Sequence, residues 1–120
     1  MRSLSGMPND ARGDLDCRAR RPDYAGKPRP AVIVQDDAFA GTASITLCPF
    51  TTQLVDAPLI RLPVEPTKQN GLNITSHVMV DKITTVAKAK LHKRVGRLAE
   101  EDMIRVNRAA LVFLGLAGRL

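Results

Sequence analysis

The segment Gly26–Val34, with the sequence GKPRPAVIV, decides the fold because a rigid loop passes directly into an apolar strand. A strand is predicted over Pro30–Gln35, because Ala31–Val34 is a continuous apolar run with three β-branched residues, which is typical of a strand buried on both faces at the centre of a sheet. Two prolines flank Arg29, and proline fixes its own φ and biases the residue before it toward extended geometry. The guanidinium of Arg29 is therefore expected on a stiff stem, where it would be a good planar clamp for phosphate oxygens.

A second predicted strand, Ala43–Pro49, ends in Phe50, Thr51 and Thr52. We expect this end to face the Arg29 loop, so that one loop supplies a cation and the other supplies hydroxyls. A preplaced arginine stabilises the negative charge that a phosphodiester gains during cleavage, and a threonine hydroxyl can donate to a non-bridging oxygen or orient a 2′-hydroxyl. The alternative is purely structural, since Pro-Arg-Pro loops and threonines after strands are both common.

Four further strands are predicted outside this pair. Leu15–Ala19 alternates with charged residues, and Leu59–Val64 carries Pro63, which indicates an edge strand. Ser76–Val86 predicts one long strand and His92–Leu98 a short one. Short non-strand pieces are predicted at Asp36–Phe39, opened by an aspartate cap, at the Asn70-Gly71 turn and at Lys88–Leu91.

The pattern changes to a helical one after Ala99. Three acidic residues, Glu100 to Asp102, suit a first helical turn, and Gly115 marks the end. One apolar stripe is predicted on this helix, consisting of Met103, Val106, Ala110, Phe113 and Leu114. Strands that precede a helix without alternation predict a mainly β fold: a small, bent barrel of mostly antiparallel strands closed by the C-terminal helix.

Length and composition favour one domain of 120 residues, which we divide into a flexible tail over 1–11 and a folded domain over 12–120. The net charge of +6 favours a polyanionic partner such as nucleic acid, or an acidic protein, although such a charge also simply keeps a small domain in solution. Aromatic residues make up only 3%, which argues against a general single-strand-binding module built on base stacking.

No apolar run reaches the roughly 20 residues of a membrane span, and no signal peptide is visible, so a cytoplasmic protein is expected.

Several familiar sites are missing from the sequence. It contains no glycine-rich phosphate loop, no Gly-x-Ser-x-Gly motif and no His/Cys cluster, so we predict neither a metal nor another cofactor. We predict that Cys17 and Cys48 are small buried side chains in a reducing compartment and that they do not form a disulfide. His77 and His92 lie far apart in the sequence, and a single histidine beside a strand is more often a surface or capping residue than a catalytic one.

The order of these motifs resembles the MazF/PemK toxins, the mRNA interferases of type II toxin–antitoxin pairs. The resemblance covers about residues 12 to 117. It is carried by the following pieces: Arg12-Gly13-Asp14, Lys27-Pro28-Arg29-Pro30 with its apolar strand, Cys48-Pro49-Phe50-Thr51-Thr52, Gly71-Leu72, Ser76 to Ile83 with Asp81, Val95-Gly96-Arg97-Leu98, and the C-terminal helix with Met103. Each piece alone is weak, but their order and spacing together are specific.

This resemblance implies an SH3-like barrel of the MazF, Kid and CcdB type, assembled as a homodimer. It implies sequence-selective, metal-independent cleavage of single-stranded RNA, in which the 2′-hydroxyl attacks the adjacent phosphate and leaves a 2′,3′-cyclic phosphate. The family's catalytic arginine and threonine fall on Arg29 and Thr51. RNA-binding positions are expected at Lys27, Thr52, Gln53, Ser76 and Asp81. A cognate antitoxin of the MazE kind, with an acidic segment, is the expected protein partner.

Two departures from the family pattern bear on mechanism. The loop before Arg29 lacks the glutamate or histidine that many members carry, and Asp23 or Tyr24 are the available substitutes for a general base. The first strand carries charged residues where members are usually apolar. Two alternatives stay open at this stage: a CcdB-like inhibitor of DNA gyrase, although the chain ends Gly118-Arg119-Leu120 and has no tryptophan, and a catalytically inactive relative that binds only antitoxin or RNA.

Overall fold

The computed structural model describes residues 13–18 and 29–118. In this part of the chain, seven strands precede one α-helix: β1 (Asp14–Arg18), β2 (Arg29–Ile33), β3 (Ser44–Thr51), β4 (Arg61–Val64), β5 (Ser76–Met79), β6 (Thr84–Ala87), β7 (Leu91–Arg97) and α1 (Glu100–Phe113). The predicted tail, Ala19, and the loop that contains Lys27 lie outside the described residues.

The strands form one bent antiparallel sheet in the order β4-β5-β3-β2-β1-β7. Strand β3 holds it together, because its first half, Ser44 to Leu47, pairs with β6, whereas Phe50 and Thr51 pair with β5. The sheet is thus mainly antiparallel with one C-terminal helix, as predicted. The central position of β2 and the edge position of β4 are also confirmed.

Four strand predictions need correction. Strand β2 ends at Ile33 instead of Gln35, and β4 begins at Arg61 instead of Leu59, because Leu59 and Ile60 belong to a turn. Strand β3 continues to Thr51 instead of ending at Pro49, because Phe50 and Thr51 pair with β5. The single strand predicted over Ser76–Val86 is two strands, separated by a 3₁₀ turn over Val80–Lys82. The charged pair Asp81-Lys82 lies in this turn, and β5 and β6 on either side of it pair with different parts of β3.

The smaller predicted pieces are confirmed. A 3₁₀ turn covers Asp37–Phe39, and the Asp36 side chain caps it by accepting a hydrogen bond of 2.8 Å from the Ala38 amide. A second such turn covers Lys88–Lys90. Each turn lets the chain change direction between two strands without leaving its backbone groups unpaired.

The larger of two apolar clusters lies between the sheet and α1. It includes Val32, Cys48 and Phe50 from the central strands, Val64 and Val78 from the edge strands, and Met103, Val106 and Ala109 from the helix. A smaller cluster, Ala31, Ile33, Ile45 and Leu47, occupies the opposite face of β2 and β3. Because β2 is buried on both faces, its position is strongly fixed.

The helix buries less of its apolar stripe than the spacing predicts. Met103, Val106 and Ala109 are buried and Ala110 is packed partly buried against the core, but Phe113 and Leu114 are exposed. The last turn of α1 leaves an open groove between Leu111 and Leu114 on one side and Val34 and Ile83 on the other, so these apolar side chains are only partly covered. With Leu116 they leave an exposed apolar surface at the C-terminal end of the helix.

Asn70 organises the loop between β4 and β5. Its buried amide accepts hydrogen bonds from the Thr67 and Leu72 amides and donates one to the Glu65 carbonyl, each 2.9 Å long. The next residue, Gly71, has a φ of +73°, and a Cβ there would collide with the Val95 carbonyl oxygen. The predicted Asn-Gly turn is thus confirmed, and the loop packs closely against Val95 of β7 at Gly71.

Candidate active site

Arg29 and Thr51 lie at the same end of the β2–β3 ladder. The paired residues are Ile33 with Leu47, Val32 with Cys48, and Ala31 with Pro49. Arg29 and Thr51 are each two residues beyond the last of these pairs, so the same register extended by two residues sets them opposite one another. Directly opposite residues of an antiparallel pair have Cβ atoms about 4.5–5.5 Å apart.

The alternation of side chains indicates that both residues face the same side of the sheet. Val32, Cys48 and Phe50 belong to the main core, so Arg29 and Thr51 fall on the other face, in line with Ala31 and Leu47. Arg29 is exposed and Thr51 is half-buried. The ends of the two central strands therefore carry a cationic and a hydroxyl residue next to one another, and their role in catalysis stays a prediction.

The immediate neighbours of this pair add polar groups. Arg18 of β1 is the backbone partner of Arg29, so two cationic residues occupy neighbouring positions across β1 and β2. The Thr51 hydroxyl oxygen accepts a hydrogen bond of 3.1 Å from the Gln53 amide, which turns the chain sharply after β3. Thr52 and Gln53 have exposed side chains and follow Thr51 on the same loop.

Ser76 and Asp81 have hydrogen-bond partners within the chain. Ser76 is buried and its hydroxyl donates 2.9 Å to the Ile74 carbonyl. Asp81 accepts two hydrogen bonds from Arg61, of 2.7 Å from Nε and 3.0 Å from an Nη. The hydrogen bonds from Arg61 hold the pKa of Asp81 below its ordinary value, and they raise the pKa of Arg61. These two predicted RNA-binding residues thus support the β4–β5 region in the free chain.

Two residues beside the predicted site were missed by sequence reasoning. Arg61 is opposite Met79 on the β4–β5 ladder, and His77 is opposite Thr51. Alternation within β4 indicates that Arg61 shares the face of Pro63, away from the buried Leu62. The pairing of His77 with Thr51 depends on register across strands far apart in the chain, for which the sequence carries no local signal.

Among residues 13–18 and 29–118, no three His, Cys, Asp or Glu side chains are grouped so that they could hold a metal ion. Burial, and to a lesser extent the charge of Asp81, raise the pKa of the Cys48 thiol to about 12, so this thiol is a core side chain and not a nucleophile. In the same described residues, no helix is long and apolar enough to cross a membrane.

The sequence matches a family model over residues 14–114, and that family is described as the PemK-like, MazF-like toxins of type II toxin–antitoxin systems. A probable endoribonuclease MazF of Mycolicibacterium smegmatis is 57% identical over 107 residues, which cover 89% of this chain and 98% of that protein.

Solved structures of similar proteins have the same fold. An endoribonuclease in complex with its cognate antitoxin, from a mycobacterial species, superposes with a TM-score of 0.74 at 25% identity, covering 90% of this chain and 97% of that one. The Mycobacterium tuberculosis toxin MazF-mt6 superposes with a TM-score of 0.73 at 22% identity, covering 86% and 97%. At its lower identity, the second likeness bears on the fold alone.

Proposed function

Because the chain belongs to the PemK-like, MazF-like toxin family of type II toxin–antitoxin systems, we propose that it is the endoribonuclease toxin of such a pair and that it cleaves single-stranded RNA beside Arg29 and Thr51. The observation that carries the site assignment is the β2–β3 register, in which both residues lie two positions beyond the last paired residues on one face of the sheet. The 57% identical relative is described as a probable endoribonuclease, so a gyrase inhibitor is not favoured.

In the proposed reaction, the ribose 2′-oxygen attacks the adjacent phosphorus while the bond from phosphorus to the 5′-oxygen breaks. The pentacoordinate transition state carries more negative charge than the substrate, and the Arg29 guanidinium stabilises that charge. The Thr51 hydroxyl already accepts a hydrogen bond from the Gln53 amide, so its proton is directed away from the backbone and toward a non-bridging oxygen. The positive charge comes from a side chain, and the proposal therefore includes no metal ion.

The other predicted RNA contacts belong to the same proposal. Thr52 and Gln53, which are exposed on the loop after Thr51, would contact RNA beside the scissile bond. Lys27, which lies outside the described residues, would add general attraction for phosphate. Ser76 and Asp81 would support the RNA-binding surface indirectly. The Ser76 hydroxyl bonds the Ile74 carbonyl at the start of β5, and Asp81 after β5 bonds Arg61 of β4. A cytoplasmic location is also part of the proposal, because mRNA is found there.

The partners we propose are an antitoxin and a second copy of the chain. The chain's net charge of +6 suits an acidic antitoxin segment that covers the RNA site. The exposed apolar end of α1, with Phe113, Leu114 and Leu116, suits a contact between two subunits. Leu114→Glu should shift the chain toward the monomer in sedimentation, whereas the same change at Leu59, an exposed leucine before β4, should not.

The activity is tested with the purified chain, a long mixed-sequence RNA transcript and excess EDTA. We expect cleavage with 5′-hydroxyl and 2′,3′-cyclic phosphate ends, and no cleavage of the same strand with 2′-O-methyl sugars. Arg29→Ala should slow single-turnover cleavage by roughly 10²–10³-fold. The matched control is Arg108→Ala, which removes one positive charge from an exposed position on α1 and should leave the rate unchanged. If both variants lost the same fraction of the cleavage rate, Arg29 would contribute only to the overall positive charge of the protein and not to the transition state.

A further inference from the structure

His77 shares one row across the sheet with Thr51. The residue is opposite Thr51 on the β3–β5 ladder and opposite Pro63 on the β4–β5 ladder. Its neighbours along β5, Ser76 and Val78, are buried, whereas His77 is half-buried, so its ring projects to the same face as Thr51. On this face the row continues to Arg29 by the register described above. The imidazole is thus the next side chain beyond the proposed phosphate-binding hydroxyl.

The His77 ring has an unsatisfied buried nitrogen. Its Nδ1 atom is closed off from solvent and has no hydrogen-bond partner among the described residues. Most buried polar side-chain atoms in proteins are hydrogen-bonded, and an unpaired one costs stability, so an exception calls for an explanation. Because a neutral imidazole carries its proton on one nitrogen only, a proton on Nε2 leaves Nδ1 as a free acceptor, which is the state a general base needs.

Among the described residues, the other groups near this face that could transfer a proton are unsuited to it, and the alternatives Asp23 and Tyr24 lie outside the described residues. Asp81 is held by Arg61, and the pKa of its carboxyl is lowered by that contact. Glu65 accepts a hydrogen bond of 2.5 Å from the Thr75 hydroxyl. The thiol of Cys48 is buried in the core on the opposite side of β3. Histidine is also the residue type that titrates nearest to neutral pH.

We propose that His77 is the general base of the RNA cleavage, and that the RNA 2′-hydroxyl is the partner its Nδ1 lacks in the free chain. This inference rests on the proposed function. Nδ1 takes the 2′-hydroxyl proton as the bond from the 2′-oxygen to phosphorus forms; the bond from phosphorus to the 5′-oxygen breaks, and the 5′-oxygen takes a proton from water. His77 then returns its proton to solvent. Because Nδ1 is closed off from solvent in the free chain, the ring must turn for Nδ1 to reach bound RNA, and no hydrogen bond of Nδ1 has to break for that turn.

The charged groups around His77 are mostly neutralised by one another. On β4 and the 3₁₀ turn after β5, Arg61 is paired with Asp81. On α1, Arg105 donates 2.6 Å to the Pro63 carbonyl and pairs with Asp102 at 3.0 Å. Further along the row are Arg29 on β2 and its backbone partner Arg18 on β1. A pH dependence that the wild type shows and the folded His77 variants lose is therefore assigned to His77.

The test measures single-turnover cleavage of the mixed-sequence transcript across the pH range in which histidines titrate. His77→Gln and His77→Asn each keep a polar side chain but cannot take a proton. We expect a rate loss of roughly 10²–10⁴-fold, typical of a lost general base, and binding of the 2′-O-methyl RNA within about threefold of wild type. The wild-type rate should rise with pH and reach a plateau, whereas the variants should lose this rise.

Added imidazole should restore part of the rate to a third variant, His77→Ala. The control is Met79→Gln, which changes a half-buried residue on the same strand and face and should keep the wild-type rate and pH profile. If the wild type cleaves RNA and depends on Arg29, but the folded His77 variants keep its rate and pH profile, the role of His77 is refuted and the proposed function stands. If the wild type cleaves no RNA, the proposed function itself fails.

Discussion

Replacing Asn70 with alanine should strongly destabilise the fold, because the substitution removes three hydrogen bonds at one buried position. The Asn70 side chain is 2% exposed and bonds the Thr67 amide, the Leu72 amide and the Glu65 carbonyl. Each such bond contributes about 1 kcal/mol net, and a backbone group left unpaired in the interior costs about 1–3 kcal/mol. Thr67 and Glu65 are exposed, so water can replace Asn70 there, but Leu72 is buried and water cannot. The expected loss is about 3–4 kcal/mol.

A loss of this size is a large part of the roughly 5–15 kcal/mol that stabilises a typical domain. It should appear as a fall of roughly 12–16 °C in the thermal midpoint for a chain of this length. Urea unfolding of the wild type and the variant at the same protein concentration measures the difference in the free energy of unfolding. The comparison is valid when the two m-values are equal.

Two further variants separate the causes. Asn70→Asp keeps an acceptor for the Thr67 and Leu72 amides but places a buried carboxylate against the Glu65 carbonyl, so it should also destabilise the fold, and less so at a pH low enough to protonate the new carboxyl. Asn73→Ala, at an exposed asparagine of the same loop, should stay within about 0.5 kcal/mol of wild type. A loss below about 1 kcal/mol for Asn70→Ala would refute the view that this amide holds the loop.

Three other predictions concern single residues. Gly71→Ala should cost about 3 kcal/mol or more in urea unfolding, because φ is +73° and the Cβ would meet a backbone carbonyl, whereas Gly41→Ala, with open space around it, should be nearly neutral. Asp81→Asn should lower stability by about 1–3 kcal/mol at pH 7, since Arg61 would lose its charged partner. The pKa of Asp81 is depressed in the folded state, so this difference should be constant above about pH 5 and shrink as the pH falls below about 3.9, in parallel urea titrations. Burial raises the pKa of the Cys48 thiol to about 12, so at most one of the chain's two thiols should react with a thiol reagent at pH 8 before unfolding.

Local patterns predicted most of the fold. The buried strand β2, the capped turn after Asp36, the Asn70-Gly71 turn and the start of α1 each depend on neighbouring residues, and each was found where expected. The break within Ser76–Val86 was missed because β-rich residues lie on both sides of it, and the turn is imposed by two strands pairing with different halves of β3. The exposed end of α1 was missed because spacing shows which residues share a face but not how closely the sheet packs against that face.

The site was predicted in part for the same reason. Arg29 and Thr51 each stand next to a strong strand signal, and their mutual position follows once the strands pair. The residues of the Arg61–Asp81 salt bridge are 20 positions apart in the sequence. Thr51 and His77 lie on β3 and β5, and the chain between them contains β4 and its flanking loops. Such contacts depend on the register of strands that are distant in the chain, which no short motif encodes.

β1 pairs with β7, so Asp14 meets Arg97 across most of the length of the chain. Arg29 lies in β2 between β1 and β3, and Thr51 is paired with His77 of β5. A nascent chain on the ribosome that is still short of β5 therefore lacks the row of side chains from Arg29 to His77. We expect the proposed RNA site to form only after β5 has left the ribosome, so that the growing chain cannot cleave its own mRNA before that point.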